Sequence, residues 1–433
     1  MKMDHSMSFQ FPYLYGLLLV FMLIEHCFDM YLNLRQYFHL KKKQLPDSLR
    51  KYVDDNKFDL SVDYSLDKLT FGTLTACVSF VIKFALYITF FFPWLWSESG
   101  RLLLENFGIV SEYYQSILFV FLYVIGERCL CILFEFYHDF VIEDRHGFNK
   151  KTVKVFLLDE IKTFFISMSI GNIFLVLVIW VIHWGGKTFY FWLWGLTMAF
   201  SFVMLTVYPN FIAPLFNKFE DLKNQSLKAK IETLAGSIQY PLKRIYQMDA
   251  STRSAHSNAY LYGFGKNKRI VLFDTLLESN EDQILAVVGH ELGHWKYSHT
   301  LKGIALSSVQ MFIMFYLFGL VFYNPYMYTE FGYKENETPV VIGLFIFMNI
   351  FKPVSILTSI LSTCLSRRYE FQADKYSAVD LKMNKDLRHA LIDLQVKNLS
   401  AFSVDSWYEW FNYSHPHLVK RLEALEHYEE KSC

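Results

Sequence analysis

Charge is scarce in this chain. Asp, Glu, Lys and Arg make up 19% of its 433 residues, where an ordinary soluble domain carries about 25%. Neither sign prevails, with Lys+Arg 42 against Asp+Glu 42, which excludes a nucleic-acid partner held by bulk attraction. Cysteine is scarce too. Cys27, Cys77, Cys129, Cys131, Cys364 and Cys433 form no C-x-x-C pair, so neither a disulfide framework nor a cysteine zinc site is expected. Those beside apolar stretches read as small buried hydrophobes. Lipid-anchor signals are missing: Lys2 follows Met1 where myristoylation needs glycine, and Cys433 is last rather than fourth from the end, so the chain itself is not expected to be lipidated.

Apolar residues are abundant, at 53%, and aromatic residues reach 18%. Such a composition excludes disorder. The apolar residues come in blocks of about 20, the length that crosses a bilayer, which predicts an integral membrane protein. About seven spans are expected, at 11–34, 70–92, 113–134, 161–184, 189–208, 303–323 and 340–362. The first is too long for a signal peptide and lacks a small-residue cleavage site, so it is expected to remain as an anchor.

Lys and Arg alternate between poor and rich connectors. Lys2 alone precedes span one, and Arg35, Lys41, Lys42, Lys43 and Arg50 follow it; Arg101 is alone in the second connector. Arg145, Lys150, Lys151 and Lys154 fill the third, while Lys187 and Lys334 are the only bases in the fourth and sixth. The fifth connector and the C-terminal tail are both basic. The positive-inside rule then puts the N-terminus in the lumen and both long polar segments in the cytosol. Ionisable residues within the spans (Glu25, His26, Asp29, Lys83, Glu127, Arg128 and Lys352) must be paired or wet, since each costs about 2.5–3.5 kcal/mol on insertion scales.

The fifth connector reads as a small α/β unit: a helix over 221–238, strands over 243–248, 259–264 and 269–273, a turn at Gly265-Lys266-Asn267-Lys268, and a helix capped by Asn280. That last helix contains His290-Glu291-Leu292-Gly293-His294. Histidines at i and i+4 share one helix face and can reach one metal ion, while Glu291 beside them can take a proton from the attacking water. His299 does not fit the extended three-histidine zincin spacing, since Tyr297 and Thr300 occupy the positions that need Gly and His; it is expected to be an interfacial polar residue. Beyond span seven, Glu370 and Asp374 stand one helical turn apart. A carboxylate ligand with a second carboxylate that orients a ligand histidine is what a two-histidine, one-carboxylate zinc site needs.

Several blocks together carry a family resemblance. They are Phe140-Val141-Ile142-Glu143-Asp144-Arg145-His146-Gly147-Phe148-Asn149, Ala213-Pro214-Leu215-Phe216-Asn217-Lys218-Phe219, Ser257-Asn258-Ala259-Tyr260, 289–295, 367–374 and His415-Pro416 with Arg421. In these the chain resembles the type I CAAX prenyl proteases, membrane zinc metalloproteases that trim farnesylated proteins. The resemblance implies one zinc ion held by His290, His294 and Glu370, Glu291 as general base, Asp374 behind the ligands and His415 at the oxyanion. It implies that Asn258, Ala259 and Tyr260 offer an edge strand to the substrate, with Arg421 also in contact with it. His417, after His-Pro, departs from the usual pattern and is either a surplus metal contact or nothing.

The fold expected is mainly α: about seven transmembrane helices enclosing a chamber, with a cytosolic zincin-like α/β catalytic domain. The divisions expected are 1–208 (spans one to five), 209–302 (catalytic subdomain), 303–362 (spans six and seven) and 363–433 (the rest of the catalytic domain). The function expected is removal of the -aaX tripeptide from prenylated CaaX polypeptides at the endoplasmic reticulum membrane, with membrane lipids as surroundings and no nucleic acid. The alternatives are a quality-control zinc protease of the heat-shock type, which has fewer spans and no reason for the 143–149 block, and a seven-helix receptor or transporter carrying an incidental His-Glu-x-x-His.

Overall fold

The computed structural model describes residues 13–263, 265, 267–335 and 337–430. Lys2, the start of the first expected span at Phe11, Phe264 and Lys266 of the expected strand and turn, and Cys433 lie outside the described residues. The fold is mainly helical. Its first helices are α1 (Tyr13–Lys41), α2 (Asp55–Ile88), α3 (Phe91–Phe107), α4 (Glu112–Tyr137), α5 (Val153–Gly185) and α6 (Phe189–Val207). Caps written in the sequence start two of them. The Asp54 carboxylate accepts from Lys57 N (2.8 Å) at α2, and Thr152 Oγ1 accepts from Val155 N (3.2 Å) at α5, satisfying amides that a helix start leaves open.

The α3 helix has no counterpart among the expected elements. The chain turns sharply at Phe90, in the left-handed region (φ 53°), and α3 ends at Gly108 (φ 65°) with Ile109 N bonded back to Leu103 O (3.2 Å), the six-residue return of a glycine cap. Five helical segments among the described residues are long and apolar enough to cross a bilayer, against about seven expected. Spans four and five fall within one segment, Val153–Leu215. The last expected span is broken: α11 (Val340–Ile350) and α12 (Lys352–Lys375), preceded by the short α10 (Tyr326–Thr329), meet at a 61° bend, and counted as one span they raise the number to six. Pro353 stands in the first turn of α12, where its missing N–H costs nothing but where no helix could run straight through.

Lys352, Glu25 and Arg128, three of the ionisable residues inside the spans, find charged partners. Lys352, at the bend, pairs with Glu25 of α1 at 2.7 Å. Arg128 reaches Glu135 (2.9 Å) and Glu160 of α5.

The polar part after α6 holds a four-stranded sheet in the order β1-β2-β4-β3: β1 (Phe219–Asp221), β2 (Leu242–Met248), β3 (Ala259–Tyr262) and β4 (Lys268–Phe273). The β2 and β4 strands run parallel, while β1 and β3 are antiparallel to their neighbours, so β3 is an edge strand. The helix expected from 221 begins later, as α7 (Gln225–Ser237), because Asn224 Oδ1 caps it through Leu227 N (3.1 Å); the residues before it extend the sheet as β1. The next helices are α8 (Glu281–Lys296) and α9 (His299–Val321), the latter a span that follows α8 after an elbow at Ser298 (φ 55°). Asn280 caps α8 through Asp282 N (2.8 Å), as its position predicts. Three helices close the chain: α13 (Asn384–Lys397), α14 (Ser406–Asn412) and α15 (Leu418–Glu430).

Two stripes on α8 set its place. Ile284, Val288 and Leu292 are fully buried against the sheet and α7. On another face, Gly289 and Gly293 meet α12 and the π-helical turn Tyr376–Asp380 after it. A Cβ at position 293 would lie 2.9 Å from Ala373 Cα and 3.1 Å from Ala373 O, and one at 289 would lie 2.9 Å from Ser377 Oγ. Backbone is in the way at 293, so the two helices must part to admit a methyl group. Gly293→Ala is therefore expected to cost about 1–3 kcal/mol through overpacking and to lower the melting temperature in detergent. Gly236→Ala in α7, where nothing lies within 4 Å, leaves it unchanged or slightly higher. Equal melting temperatures for the Gly293→Ala and wild-type proteins would sink the close-packing argument.

Candidate metal centre

The glycine contact brings Glu370 of α12 beside His290 and His294 of α8. His294 Nε2 lies 3.2 Å from His290 Nε2 and 3.2 Å from Glu370 Oε1, and His290 Nε2 lies 3.5 Å from Glu370 Oε2. One ligand atom from each residue lies within 4.8 Å of the other two. Tetrahedral coordination at about 2.0–2.2 Å places ligand atoms about 3.3–3.6 Å apart, so the three fit one zinc ion. Two imidazoles and one carboxylate are also the donor set of a catalytic zinc with an open fourth position. Glu291 sits beside them. Burial pushes its carboxyl above the usual range while His290 and His294 pull it back, the kind of tuning a general base requires.

Each histidine is oriented from behind. Asp374, fully buried, accepts from His290 Nδ1 at 2.8 Å, which leaves Nε2 to face Glu370. Arg421 holds Asp374 in turn through Nε (2.8 Å) and Nη2 (2.6 Å) and stands 3.7 Å from Glu370 Oε2. Arg421, expected to contact substrate, is thus committed to these two carboxylates, and removing one member of such a buried set costs about 3–5 kcal/mol. His415, exposed, places Nδ1 3.0 Å from Glu370 Oε2. His417 bonds Ala401 O through Nε2 (3.1 Å) and has no contact with the metal group.

The spacing argument missed His299. It is a buried residue at the elbow between α8 and the spanning helix α9, with Nδ1 3.0 Å from His294 Nδ1 and Nε2 2.9 Å from Gln372 Oε1. The Gln372 carbonyl oxygen can only accept, so His299 Nε2–H donates to it. In the neutral ring Nδ1 then accepts from His294 Nδ1–H, and His294 Nε2 is left free for a metal. Tyr369 stacks on the His299 ring at 4.2 Å. Five residues separate His299 from His294, a spacing that no single helix would use; only the turn at Ser298 makes it work.

Near the metal group, Asn258 is exposed at the start of β3, Ala259 is buried and Tyr260 half-buried. Among the described residues β3 pairs with β4 alone, which leaves its other edge open. The segment before it is fastened to the 143–149 block. Glu143, after α4, accepts from Tyr64 Oη (2.5 Å) and lies 3.2 Å from His256 Nε2. The His256 ring stacks on Phe148 at 4.1 Å, and Asn398 Oδ1 accepts from Ser257 N (3.0 Å).

Apolar helices of spanning length, a buried His-His-Glu group and an adjacent carboxylate define a multi-pass membrane metallopeptidase. Two family models cover most of the chain: a CAAX prenyl protease N-terminal domain with five membrane helices over residues 36–218, and peptidase family M48 over residues 221–429. The chain belongs to the M48 peptidase family and, within it, to the CAAX prenyl proteases. It is 42% identical to a CAAX prenyl protease 1 homolog of Oryza sativa subsp. japonica over 97% of this chain and 99% of the relative. It is 37% identical to the Homo sapiens homolog over 95% of each. The crystal structure of S. mikatae Ste24p superposes with a TM-score of 0.91 at 34% identity, over 95% of this chain and 99% of that one.

Groups behind metal ligands typically contribute about 10–100-fold to metal affinity. Asp374→Ala and His299→Leu are each expected to weaken zinc retention by that factor, measured by chelator competition on purified protein. His299→Asn keeps an acceptor toward His294 and weakens it less. Unchanged retention in His299→Leu would remove His299 from the site.

Proposed function

We propose that this chain is a zinc metalloendopeptidase that cuts prenylated CaaX proteins after the prenylated cysteine and releases -aaX, one zinc ion serving each chain. The observation that carries the reading is the convergence of His290, His294 and Glu370 next to Glu291, under the open edge of β3. A bound zinc ion supplies Lewis acidity to the scissile carbonyl. The chain's own groups do the rest. A substrate in extended form pairs with β3 near Asn258, Ala259 and Tyr260, satisfying its amides whatever its side chains. Glu291 takes the proton of the attacking water and passes it to the leaving amine. With Nδ1 on Glu370, His415 has Nε2 left to face the negative charge that develops on the carbonyl oxygen.

The seven-span arrangement is part of this proposal. A straight helix over the 63 residues of Val153–Leu215 would be about 95 Å long, three times the hydrocarbon thickness of about 30 Å. The chain instead has α5 and α6 packed against each other, with Gly186 at φ 53° between them, which supports two spans. Counting α11 and α12 as one broken span then gives seven. The alternation of Lys and Arg supports a lumenal N-terminus and a cytosolic active site, and the family resemblance supports the endoplasmic reticulum as the membrane. A chamber is supported by the ion pairs Lys352–Glu25 and Arg128–Glu160 inside the spans. The divisions at 208, 302 and 362 follow the same reading.

Glu291→Gln is expected to keep zinc near one per chain while turnover of a farnesylated CaaX peptide falls about 10²-fold or more; Glu370→Ala loses both. Stoichiometric zinc with full turnover in Glu370→Ala would overturn the ligand assignment. Because each buried CH₂ is worth about 0.8 kcal/mol, the unmodified peptide should show a strongly raised KM. Equal kcat/KM for the two peptides would leave a zinc protease that is not directed by the prenyl group. Tags on the two ends should lie on opposite sides of sealed microsomes, and finding both on one side would refute the seven-span count.

A further inference from the structure

Two adjoining cavities lead away from the metal group. One, of about 450 Å³, is bounded by His415 and Arg421 at one end and by Asn398, Ala401 and Tyr413 at the other. Those last three also wall the second, of about 620 Å³, which runs past Asn258 to Lys68 of α2. Both volumes lie within the range of about 300–1,000 Å³ that ligand pockets occupy. The cleft therefore runs from beside the reacting centre, past the beginning of the open edge strand, to a cation that also borders a further cavity of about 440 Å³ beside Glu135, Asp139 and Glu160.

Lys68 is exposed at that end. Its ammonium lies 4.7 Å from the centre of the Tyr64 ring and 3.4 Å from the Tyr64 hydroxyl. Among the described residues no carboxylate comes within 4 Å of it. The neighbouring carboxylate of Glu143 is occupied by Tyr64 and His256. Between Lys68 and the metal group the walls are mixed: Leu69, Phe273 and Leu399 offer apolar surface, and Ser257, Asn258 and Asn398 offer polar groups. The other end of β3 is different: Arg269 there is already committed to Asn210 Oδ1 (2.7 Å) and the Tyr262 hydroxyl (3.0 Å) and packs against the Tyr246 and Tyr262 rings.

A substrate cut three residues from its end has a particular shape on the carboxyl side of the bond: about 10 Å of extended chain, two aliphatic side chains and a terminal carboxylate. We propose that the cleft receives these three residues and that the Lys68 ammonium pairs with the terminal carboxylate. The inference rests on the proposed -aaX cleavage and adds to it a direction. The carboxyl end of the substrate lies at the beginning of β3, so the chain runs antiparallel to β3, and the cation measures the distance from the cut to the terminus. A cleft without a charge would accept a longer peptide or a blocked end; a cation on its wall favours a free carboxylate.

The test uses the full-length protein with zinc and two farnesylated CaaX peptides that differ only in ending as the acid or the carboxamide. Wild type should prefer the acid by about tenfold or more in kcat/KM, the worth of a hydrogen-bonded charge pair, mainly through KM. The acid-to-amide ratio should fall to near one in Lys68→Gln, fall below one in Lys68→Glu and persist in Lys68→Arg. Zinc content monitors folding of each variant. Inhibition by the free tripeptide should weaken in Lys68→Gln by the same factor. A ratio near one in wild type, or an unaltered ratio in Lys68→Gln, overturns the subsite. Failure of wild type to cut either peptide overturns instead the activity on which the inference rests.

Discussion

The approach of α8 to α12 at Gly293, and to the π-helical turn after α12 at Gly289, is the contact on which the site depends. With a Cβ at either position the neighbouring atoms would be closer than 3.0 Å, so two missing side chains set the interhelical distance. That distance is what lets a carboxylate on one helix reach two imidazoles on the other. It also explains why α8 carries three kinds of residue: aliphatic ones toward the sheet, glycines toward α12 and histidines at the rim of the contact. Small residues four apart serve helix contacts in membranes in the same way, and α12 is the continuation of a spanning segment into the polar part of the protein.

The next consequence is electrostatic. Bringing the helices together buries Glu370 and Asp374, and neither would be tolerated as an isolated charge. Arg421 of α15, His290, and His415 at the surface supply the compensating donors. The C-terminal helix is thereby joined to the site through a charge rather than through packing alone. A cluster of this kind is weak evidence for stability, since apolar replacements of equal volume do as well; its value lies in holding two imidazole rings in fixed tautomers and orientations.

The open edge of β3 and the membrane part are tied to each other as well. Tyr64 of α2, Glu143 after α4 and His256 before β3 form one hydrogen-bonded group, with Phe148 stacked on the histidine. The strand that faces the metal group is positioned by the polar ends of spanning helices. On the proposed function, a substrate held by a lipid within the membrane and by its backbone at β3 meets two parts of one hydrogen-bonded connection.

The sequence alone was enough for the parts that depend on local patterns. Apolar blocks of bilayer length, the capping residue Asn280, the strands of the polar part and the His-Glu-x-x-His turn are each decided by residues within one helix or strand of one another. The pairing of that turn with Glu370 and Asp374 was legible only as chemistry, because a three-ligand site needs a carboxylate and these two had the right spacing. What the tertiary structure decided lies across gaps in the chain. His299 turns back onto His294 because Ser298 adopts a left-handed conformation, a choice no periodicity announces. Arg421 faces Asp374 rather than open solvent because α15 folds over α12. The last span bends at Lys352, where proline and an ion pair with α1 act together, and α3 exists because Phe90 reverses the chain where hydropathy alone continues it. Periodicity records what each segment buries; which segment it buries against depends on contacts between different elements of the chain, and those exist only once the chain has folded.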